Sequence, residues 1–590
     1  MDDERIRKLL EDYSSDESCP SGSDIDEEEL ISQRSDESDT EEEFSNLLEP
    51  ETTSSPATVT CPEEDNNSSI DRPYARYVYG KDHTKWNKDC YRTNVRTRSE
   101  NIISVIPGVK GPARNVRSEY DCWKLFVCDE IIKEILVNTN CHIRNKQKPA
   151  PTKTQTSYMK ELCKDELLAF IGLLYLAGLN KANRQNLNDL WRTDGTGIDI
   201  FRNTMSLQRF YFIMNCIRFD DSSTRLERKQ TDRLAPIRSL HDKFVLHCQE
   251  NYDPSEYLTI DEKLDSFRGR CVFVQYMPNK PAKYGLKSYL LVDAKSFYIV
   301  NLELYAGTQP PGPYNKSNKP FDVVDKLVQP ISQSSRNITF DNWFTSYPLT
   351  QHLLSHHKLT SVGTIRKNKR EIPASISNAR GRDIHSSEFI FQKDTTLVSY
   401  VPKKNKVVLV ISTMHHDNSI DVMTGDKRKP EMITFYNRTK GGVDVVDELC
   451  ANYDVSRNSK RWPLTFFYSL LNMAGINSYI IRKENCSLPN LKRREFLRVL
   501  GLKLVENHLR TRKDTIGLHT SLRKRINDSL GEPSPAPPPK IAGIARRCQD
   551  CAYKKDRKTK HTCCKCNKFI CMEHAETICK NCAAYSQDTN

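Results

Sequence analysis

Three aspartates at predicted strand and helix boundaries constrain most strongly what this chain can fold into. Asp261 and Asp341 each follow a β-prone run, at 257–260 and 338–340, so each carboxylate is predicted to lie at the end of a strand. Asp444 follows two glycines and precedes an apolar-periodic run, which is typical of the first turn of a helix. Carboxylates on separate rigid elements can converge on hard cations such as Mg²⁺, and a pair of these ions can assist an in-line phosphodiester displacement.

The order of the predicted elements supports a catalytic role for these acids more strongly than any single acid does. An isolated Asp at such a boundary is more often a turn former or a helix cap. Between Asp261 and Asp341 the sequence predicts a hairpin formed by 287–292 and 297–305, then a helix around 321–328, then a strand. Acids on the first and fourth strands of a strand-strand-strand-helix-strand unit are typical of ribonuclease-H-like nucleases and transposases. We therefore predict a multidomain α/β protein with an RNase-H-like catalytic core.

Six motifs around these acids resemble those of the piggyBac family of DNA transposases. They are Leu258-Thr-Ile-Asp-Glu262, Phe267-Arg-Gly-Arg270, Pro278-Asn-Lys-Pro-Ala-Lys-Tyr-Gly285, Asp341-Asn-Trp-Phe-Thr345, Gly363-Thr-Ile-Arg-Lys-Asn-Lys-Arg370 and Lys440-Gly-Gly-Val-Asp444. The resemblance runs from about Tyr120 to the C-terminus. It implies that Asp261, Asp341 and Asp444 form the catalytic triad and bind two Mg²⁺ or Mn²⁺ ions, and that Asp447 is a further acid near the active site.

The resemblance also implies an activity. A transposase of this family would bind double-stranded DNA at the terminal inverted repeats of its element, excise the element through DNA hairpin ends and integrate it at TTAA targets. It would act in the nucleus as a homodimer or a higher oligomer on DNA. The alternative is a domesticated, transposase-derived DNA-binding or chromatin protein without transposition activity. The intact triad favours the enzyme.

Composition and periodicity predict several regions with different characters. Apolar residues recur at helical spacing before Asp253 and again after Asp444, so a helical unit is predicted to be split by the core. The resemblance implies that this unit serves dimerisation and DNA binding. The predicted regions are a disordered acidic N-terminal region (1–115), the first helical part (116–255), the first part of the core (256–365), a β-rich insertion (366–431), the second part of the core (432–456), the second helical part (457–530), a linker (531–545) and a cysteine-rich zinc-binding domain (546–585).

The charge distribution is strongly asymmetric. Residues 1–65 contain 23 acidic and 4 basic side chains, so of the net charge of +12 the remaining residues carry about +31. An excess of this size is typical of proteins that bind nucleic acid. The sequence contains no run of 18 apolar residues and begins with an acidic segment, so we expect a soluble intracellular protein without a membrane partner.

A cluster of cysteines near the C-terminus has the spacing of metal ligands. The proposed ligands are Cys548, Cys551, Cys563, Cys566, Cys571, His574, Cys579 and Cys582. Eight ligands can hold two tetrahedral Zn²⁺ ions per chain, and so short a segment has no apolar core with which to fold without metal. The preferred arrangement is a cross-brace, in which the first and third pairs bind one ion and the second and fourth pairs bind the other. Disulfides are the alternative.

The spacing of the cysteines does not by itself identify what this cysteine-rich domain binds. A cross-brace could equally belong to a ubiquitin-ligase or histone-reading module. The basic run at 554–560 favours phosphate contact. In piggyBac-like proteins the corresponding domain binds the sequence of the transposon end.

Some basic and aromatic residues are further candidates for DNA contact. Arg268, Arg270 and Lys283 flank the first catalytic strand, where cations could hold phosphates without reading sequence. Arg366 and Lys369 lie in a basic loop, which the resemblance assigns to target DNA. Solvated surface charge is the alternative for all five. The sixth candidate is Trp462. It is either a buried core residue or, by resemblance, an aromatic residue that stacks on a flipped or hairpin-end base near the active site.

Overall fold

The computed structural model describes residues 76–91, 102–103, 105–147, 157–278, 280–488, 490–532, 545–563, 566 and 568–576. Two compact units are present, Met1–Leu530 and Gly531–Asn590. The predicted disorder of residues 1–75 concerns a segment outside the described residues.

The first unit is a mixed α/β structure. Its helices are α1 (Glu119–Lys124), α2 (Asp129–Gln147), α3 (Lys164–Leu179), α4 (Leu187–Leu190), α5 (Asp199–Thr204), α6 (Leu207–Cys216), α7 (Arg225–Lys229), α8 (Arg238–Asn251), α9 (Pro320–Leu327), α10 (Tyr347–His357), α11 (Glu431–Thr439), α12 (Gly442–Asn452), α13 (Trp462–Asn485), α14 (Arg493–Lys513) and α15 (Thr520–Leu530). Its strands are β1 (Tyr77–Tyr79), β2 (Lys85–Asn87), β3 (Gly108–Val109), β4 (Tyr252–Asp253), β5 (Tyr257–Ser266), β6 (Gln275–Tyr276), β7 (Tyr284–Asp293), β8 (Ile299–Leu304), β9 (Asn337–Phe340), β10 (Thr360–Thr364), β11 (Ser387–Phe391), β12 (Thr396–Lys403) and β13 (Lys406–Ser412).

Eleven of these strands form one sheet in the order β1-β2-β11-β12-β13-β10-β9-β5-β7-β6, with β8 also paired to β7. The pairs β5–β9 and β9–β10 are parallel, and the other pairs are antiparallel. The predicted hairpin, helix and following strand are confirmed as β7–β8, α9 and β9. The strands predicted between 366 and 431 are also confirmed, and through β13 they extend the same sheet beside β10.

The helices before and after the sheet pack against one another, as a split helical unit requires. The Trp123 indole donates to the hydroxyl of Tyr175 at 2.9 Å, and that hydroxyl donates to the carbonyl of Leu471 on α13 at 2.7 Å. α3 and α14 cross at Gly172 and Gly501, where a Cβ on Gly172 would lie 2.9 Å from the Gly501 carbonyl oxygen. The helical parts therefore form one core around α13.

α13 is the central helix of this core. Asn477 on α13 accepts from the amide of Ile299 and donates to its carbonyl, both at 2.9 Å, and so fixes the helix to β8. By length and composition α13 could cross a membrane, and it is the one helix of the described residues that could. Of its most apolar window 89 % is buried inside the protein, as in the core helix of a folded domain.

The prediction that residues 1–115 are disordered is wrong for 76–91 and 105–115. β1 and β2 form a hairpin that joins the sheet through the pair Asn87–Phe391. Trp86 is fully buried and donates to the carbonyl of Glu371 at 2.9 Å. Farther along, β3 pairs with β4 and a 3₁₀ turn covers Gly111–Asn115. Long-range pairing orders these segments, which local composition does not reveal.

Candidate active site

The parallel pairing of β5 and β9 brings Asp261 and Asp341 together. Ile260 and Phe340 are the last pair in the register, so the next residue of each chain segment is an aspartate. The prediction that Asp261 ends its strand is wrong, because β5 continues to Ser266 by pairing with β7. The prediction for Asp341 is confirmed, since β9 ends one residue before it.

Asp444 lies in the first turn of α12, as predicted. Two threonines of the sheet, Thr259 and Thr339, contact Thr439, which precedes Asp444 in the chain. Thr259 on β5 donates to the carbonyl of Thr439 at 2.5 Å, and the hydroxyls of Thr339 and Thr439 are 2.7 Å apart. These bonds join the end of α11 to both strands that carry the other two acids.

The second glycine before Asp444 allows a close approach of α12 to the sheet. A Cβ on Gly442 would lie 2.7 Å from Thr259 Oγ1 and 3.1 Å from its Cβ, whereas a Cβ on Gly441 would meet nothing within 4 Å. Gly442 is therefore required for packing, and the third acid depends on it for its distance from β5.

Two lysines connect the acids. Lys280 lies 3.6 Å from a carboxylate oxygen of Asp444 and 3.5 Å from one of Asp447, and it donates to the carbonyl of Glu262 at 2.9 Å. Lys263, whose side chain is only 4 % exposed, contacts Asp265 and lies 3.7 Å from Asp447. Asp447 is thus held between two cations at the edge of the site.

Burial raises the pKa values of Asp261, Asp341 and Asp447. Burial, followed by the nearby carboxylates of Glu262 and Asp341, raises the pKa of Asp261 to about 8. Burial also raises the pKa of Asp341, although the backbone N–H of Trp343 acts in the opposite direction. The pKa of Asp447 is raised by burial despite the two lysines. A buried carboxylate beside other carboxylates, such as Asp261, is suited to a divalent cation, which can replace the proton that the raised pKa favours.

The predicted DNA-contact residues differ in exposure and in their contacts. Arg366 is exposed just beyond β10, with its Nε 3.5 Å from Asn342 Oδ1, and its charge acts to lower the pKa of Asp341. The half-buried Lys369 lies in the same loop. The other three predicted cations, Arg268, Arg270 and Lys283, are exposed between β5 and β7.

Comparisons with known proteins agree with this geometry. Residues 118–479 match the model of the family described as Transposase IS4. A solved structure of piggyBac transposase, a synaptic complex with hairpin DNA, is similar to the chain with a TM-score of 0.73 and 37 % identity. The likeness covers 81 % of this chain and 100 % of that one. The chain belongs to the piggyBac transposase family.

Two human relatives are more distant. PiggyBac transposable element-derived protein 3 of Homo sapiens is 24 % identical over 379 residues, and PiggyBac transposable element-derived protein 2 is 22 % identical over 366. These alignments cover 60 % and 59 % of this piggyBac-family chain and 60 % of each relative. The chain thus spans about three fifths of the length of these curated relatives.

In this piggyBac-family chain Trp462 is a core residue. It is 6 % exposed, begins α13, and packs edge-on against Phe273 with ring centroids 5.0 Å apart. Trp462 is therefore buried in the structure, and its stacking on a flipped or hairpin-end base stays a prediction.

Sequence reasoning missed the ionic roles of Lys263 and Lys280. One signal was available for Lys263. Asp261, Lys263 and Asp265 alternate along β5, so all three side chains point to one face of the sheet. A lysine between two acids on that face indicates an internal ion pair.

The second unit of this family member contains a four-residue cluster of metal-ligand side chains. A two-stranded sheet, β14 (Arg546–Arg547) with β15 (Lys558–Thr559), positions Cys548 beside the other three members. The ligand atoms of Cys548, Cys551, Cys571 and His574 all lie within 4.8 Å of one another. They are the first and third pairs of the predicted cross-brace. In the second predicted set, Cys563 and Cys566 are described, whereas Cys579 and Cys582 lie outside the described residues.

Proposed function

We propose that this chain is a cut-and-paste DNA transposase whose reaction depends on Asp261, Asp341 and Asp444. The observation that carries the proposal is their convergence from two parallel strands and a helix. The sheet order β8-β7-β5-β9-β10, with acids following β9 and on β5, supports assignment of the core to the RNase-H-like class.

The acids fit the divalent cations that such a reaction uses. Mg²⁺ or Mn²⁺ held by the three aspartates would supply activation of the attacking water or 3′-hydroxyl and would neutralise charge on the leaving oxygen. The chain's own residues set the geometry. Lys280 restrains Asp447 and Asp444 on α12, and the strand pairing fixes the other two carboxylates.

The DNA steps are proposed on the family resemblance and on the solved neighbour. The proposal comprises nicking at the transposon 3′ ends, attack of the freed 3′-hydroxyl on the opposite strand to give hairpins, and joining of reopened ends at TTAA. The neighbour's description as a synaptic complex with hairpin DNA supports hairpin ends and a dimer or higher oligomer on DNA. Action on chromosomal DNA requires a nuclear location.

The cysteine-rich unit is proposed to bind Zn²⁺ and to read the transposon end. Three thiolates and an imidazole are ligands that zinc prefers, and four protein ligands leave no open position for water. The Arg546 and Arg547 side chains lie over the rings of Phe569 and Tyr553, which presents cations and the exposed Tyr553 together on this unit. A chain ending at Glu532 is expected to lose recognition of the end but to retain chemistry on a pre-nicked substrate. Undiminished end binding would contradict the role of reader.

The function is tested by an excision and joining assay with the purified full-length chain and the element's own terminal repeats flanked by TTAA. The expected products are nicked ends, hairpins and joined DNA, each dependent on Mg²⁺. Specific binding to the ends with no cleavage would instead favour the alternative, a DNA-binding protein derived from a transposase. The relatives named as transposable element-derived keep that alternative open.

A further inference from the structure

A second group of metal-ligand side chains lies in the first unit, away from the catalytic aspartates. Asp325 on α9 and two histidines of α10, His352 and His357, have ligand atoms that all lie within 4.8 Å of one another. His352 Nε2 is 2.6 Å and His357 Nε2 is 2.9 Å from the same oxygen, Oδ1 of Asp325. We propose that Asp325, His352 and His357 bind one zinc ion that joins α9 to α10.

The rings are already held with Nε2 facing the carboxylate. The other ring nitrogen of His357 lies 2.9 Å from Ser332 Oγ, an arrangement that fixes the orientation of metal-binding histidines in proteins. The ring of His352 packs between Phe321 and His356, with centroids 4.9 and 4.4 Å away. Both rings already turn Nε2 toward the carboxylate.

The spacing and chemistry suit zinc. Zinc lies about 2.0–2.1 Å from nitrogen and oxygen ligands, so tetrahedral ligand atoms lie about 3.3 Å apart. The distance from each histidine Nε2 to Asp325 Oδ1 would therefore increase by less than about 1 Å when an ion binds. Imidazole and carboxylate together favour a borderline cation such as Zn²⁺ over Mg²⁺.

Solvent reaches the group from one side. The side chain of Asp325 is 35 % exposed and that of His352 is 23 % exposed, whereas His357 is 8 % exposed. An ion can enter over Asp325, and a water molecule can complete its coordination.

The site lies at the opposite end of β9 from Asp341. β9 and β10 pair in parallel with Asn337 beside Thr360, and His357 precedes Thr360 by three residues. The four residues of β9 span about 13 Å, so no ligand is shared with the catalytic acids. A bound ion would fix α9 and α10, the helices before and after β9, and would act as a structural clip.

Zinc analysis of the full-length chain tests this site separately from the cysteine cluster, which is present in every variant. After equilibration with zinc and removal of loosely bound metal, His352→Gln and Asp325→Asn should each hold one zinc ion fewer than the wild type. His356→Gln, which changes a neighbouring exposed histidine, should hold the wild-type number. Equal zinc content in all four chains would overturn the proposal.

A second measurement uses the wild-type chain alone and does not depend on how a variant folds. Diethyl pyrocarbonate modification, read by mass spectrometry, should fall severalfold at His352 when zinc is added and should stay unchanged at His356. Equal modification of His352 with and without zinc would show that the group is only a hydrogen-bonded Asp–His pair.

Discussion

Asp261 and Asp341 each follow the last paired residue of two parallel strands, Ile260 on β5 and Phe340 on β9. The backbone register therefore fixes two of the three catalytic candidates side by side. The third depends on a helix start at Gly442, where an added side chain would clash with Thr259.

Gly442→Ala is expected to reduce DNA nicking by about 10²-fold, the effect typical of displacing a catalytic group by about 1 Å. The added methyl group would meet Thr259 and push α12, with Asp444, away from β5. The measurement is single-turnover nicking of end DNA at saturating protein. Gly441→Ala is the matched control, because a Cβ there meets nothing. Equal rates in the two variants would contradict the close-approach argument.

The metal-free protein is expected to lose stability as the pH rises from about 4 to about 8. An unfolded Asp has a pKa of about 3.9, and that of Asp261 in the folded chain is about 8. In this window the folded chain holds a proton that the unfolded chain releases, so unfolding becomes easier as the pH rises. Below the window both states are protonated, and above it both are ionised.

Thermal unfolding across this pH range, with and without Mg²⁺, measures the effect. Mg²⁺ should restore stability most at pH 8, because it replaces the proton. Asp261→Asn should flatten the metal-free pH dependence. A variant with the same slope as the wild type would exclude Asp261 as its source.

Sequence predicted two of the three acid positions correctly because local signals mark them. The β-prone run before Asp341 and the glycines before Asp444 lie within a few residues of each acid. Because the residues after Asp261 are mostly polar, the sequence did not indicate that β5 continues to Ser266. Lys263 is buried there only because Asp265 and Asp447 compensate its charge, and Asp447 lies far away in sequence. The same limit applies to the hairpin of β1 and β2, which joins the sheet where β2 pairs with β11.

Lys280→Met is expected to slow nicking of bound DNA about tenfold or more and to leave binding of the ends measurable. The substitution removes the cation between Asp444 and Asp447 and leaves their repulsion uncompensated. Lys283→Met, in the same loop, should instead weaken binding and reduce its salt dependence. Rates of nicking on saturated DNA, together with a salt titration of binding, separate the two effects. The same pattern in both variants would argue against a positioning role for Lys280.

The Arg366→Ala/Lys369→Ala double variant is expected to excise normally and to integrate poorly. In the loop after β10 the charge of Arg366 acts on Asp341, and we expect this loop to contact target DNA. Excision and target joining are measured on the same preparation. Lys404→Ala/Lys406→Ala, at the β12–β13 turn, removes the same charge elsewhere and should integrate normally. Equal loss of excision and joining would indicate an end-binding or structural loop.

The most direct test of the proposed activity compares Asp261→Asn, Asp341→Asn and Asp444→Asn with the wild type in Mg²⁺-dependent nicking of end DNA, with end binding measured in parallel. Each change removes a proposed metal-binding carboxylate and leaves the predicted DNA-contacting cations in place. We expect nicking and strand transfer to be abolished and end binding to stay within about twofold of the wild type. Nicking at the wild-type rate by any of the three variants would contradict the assignment of that aspartate to the active site.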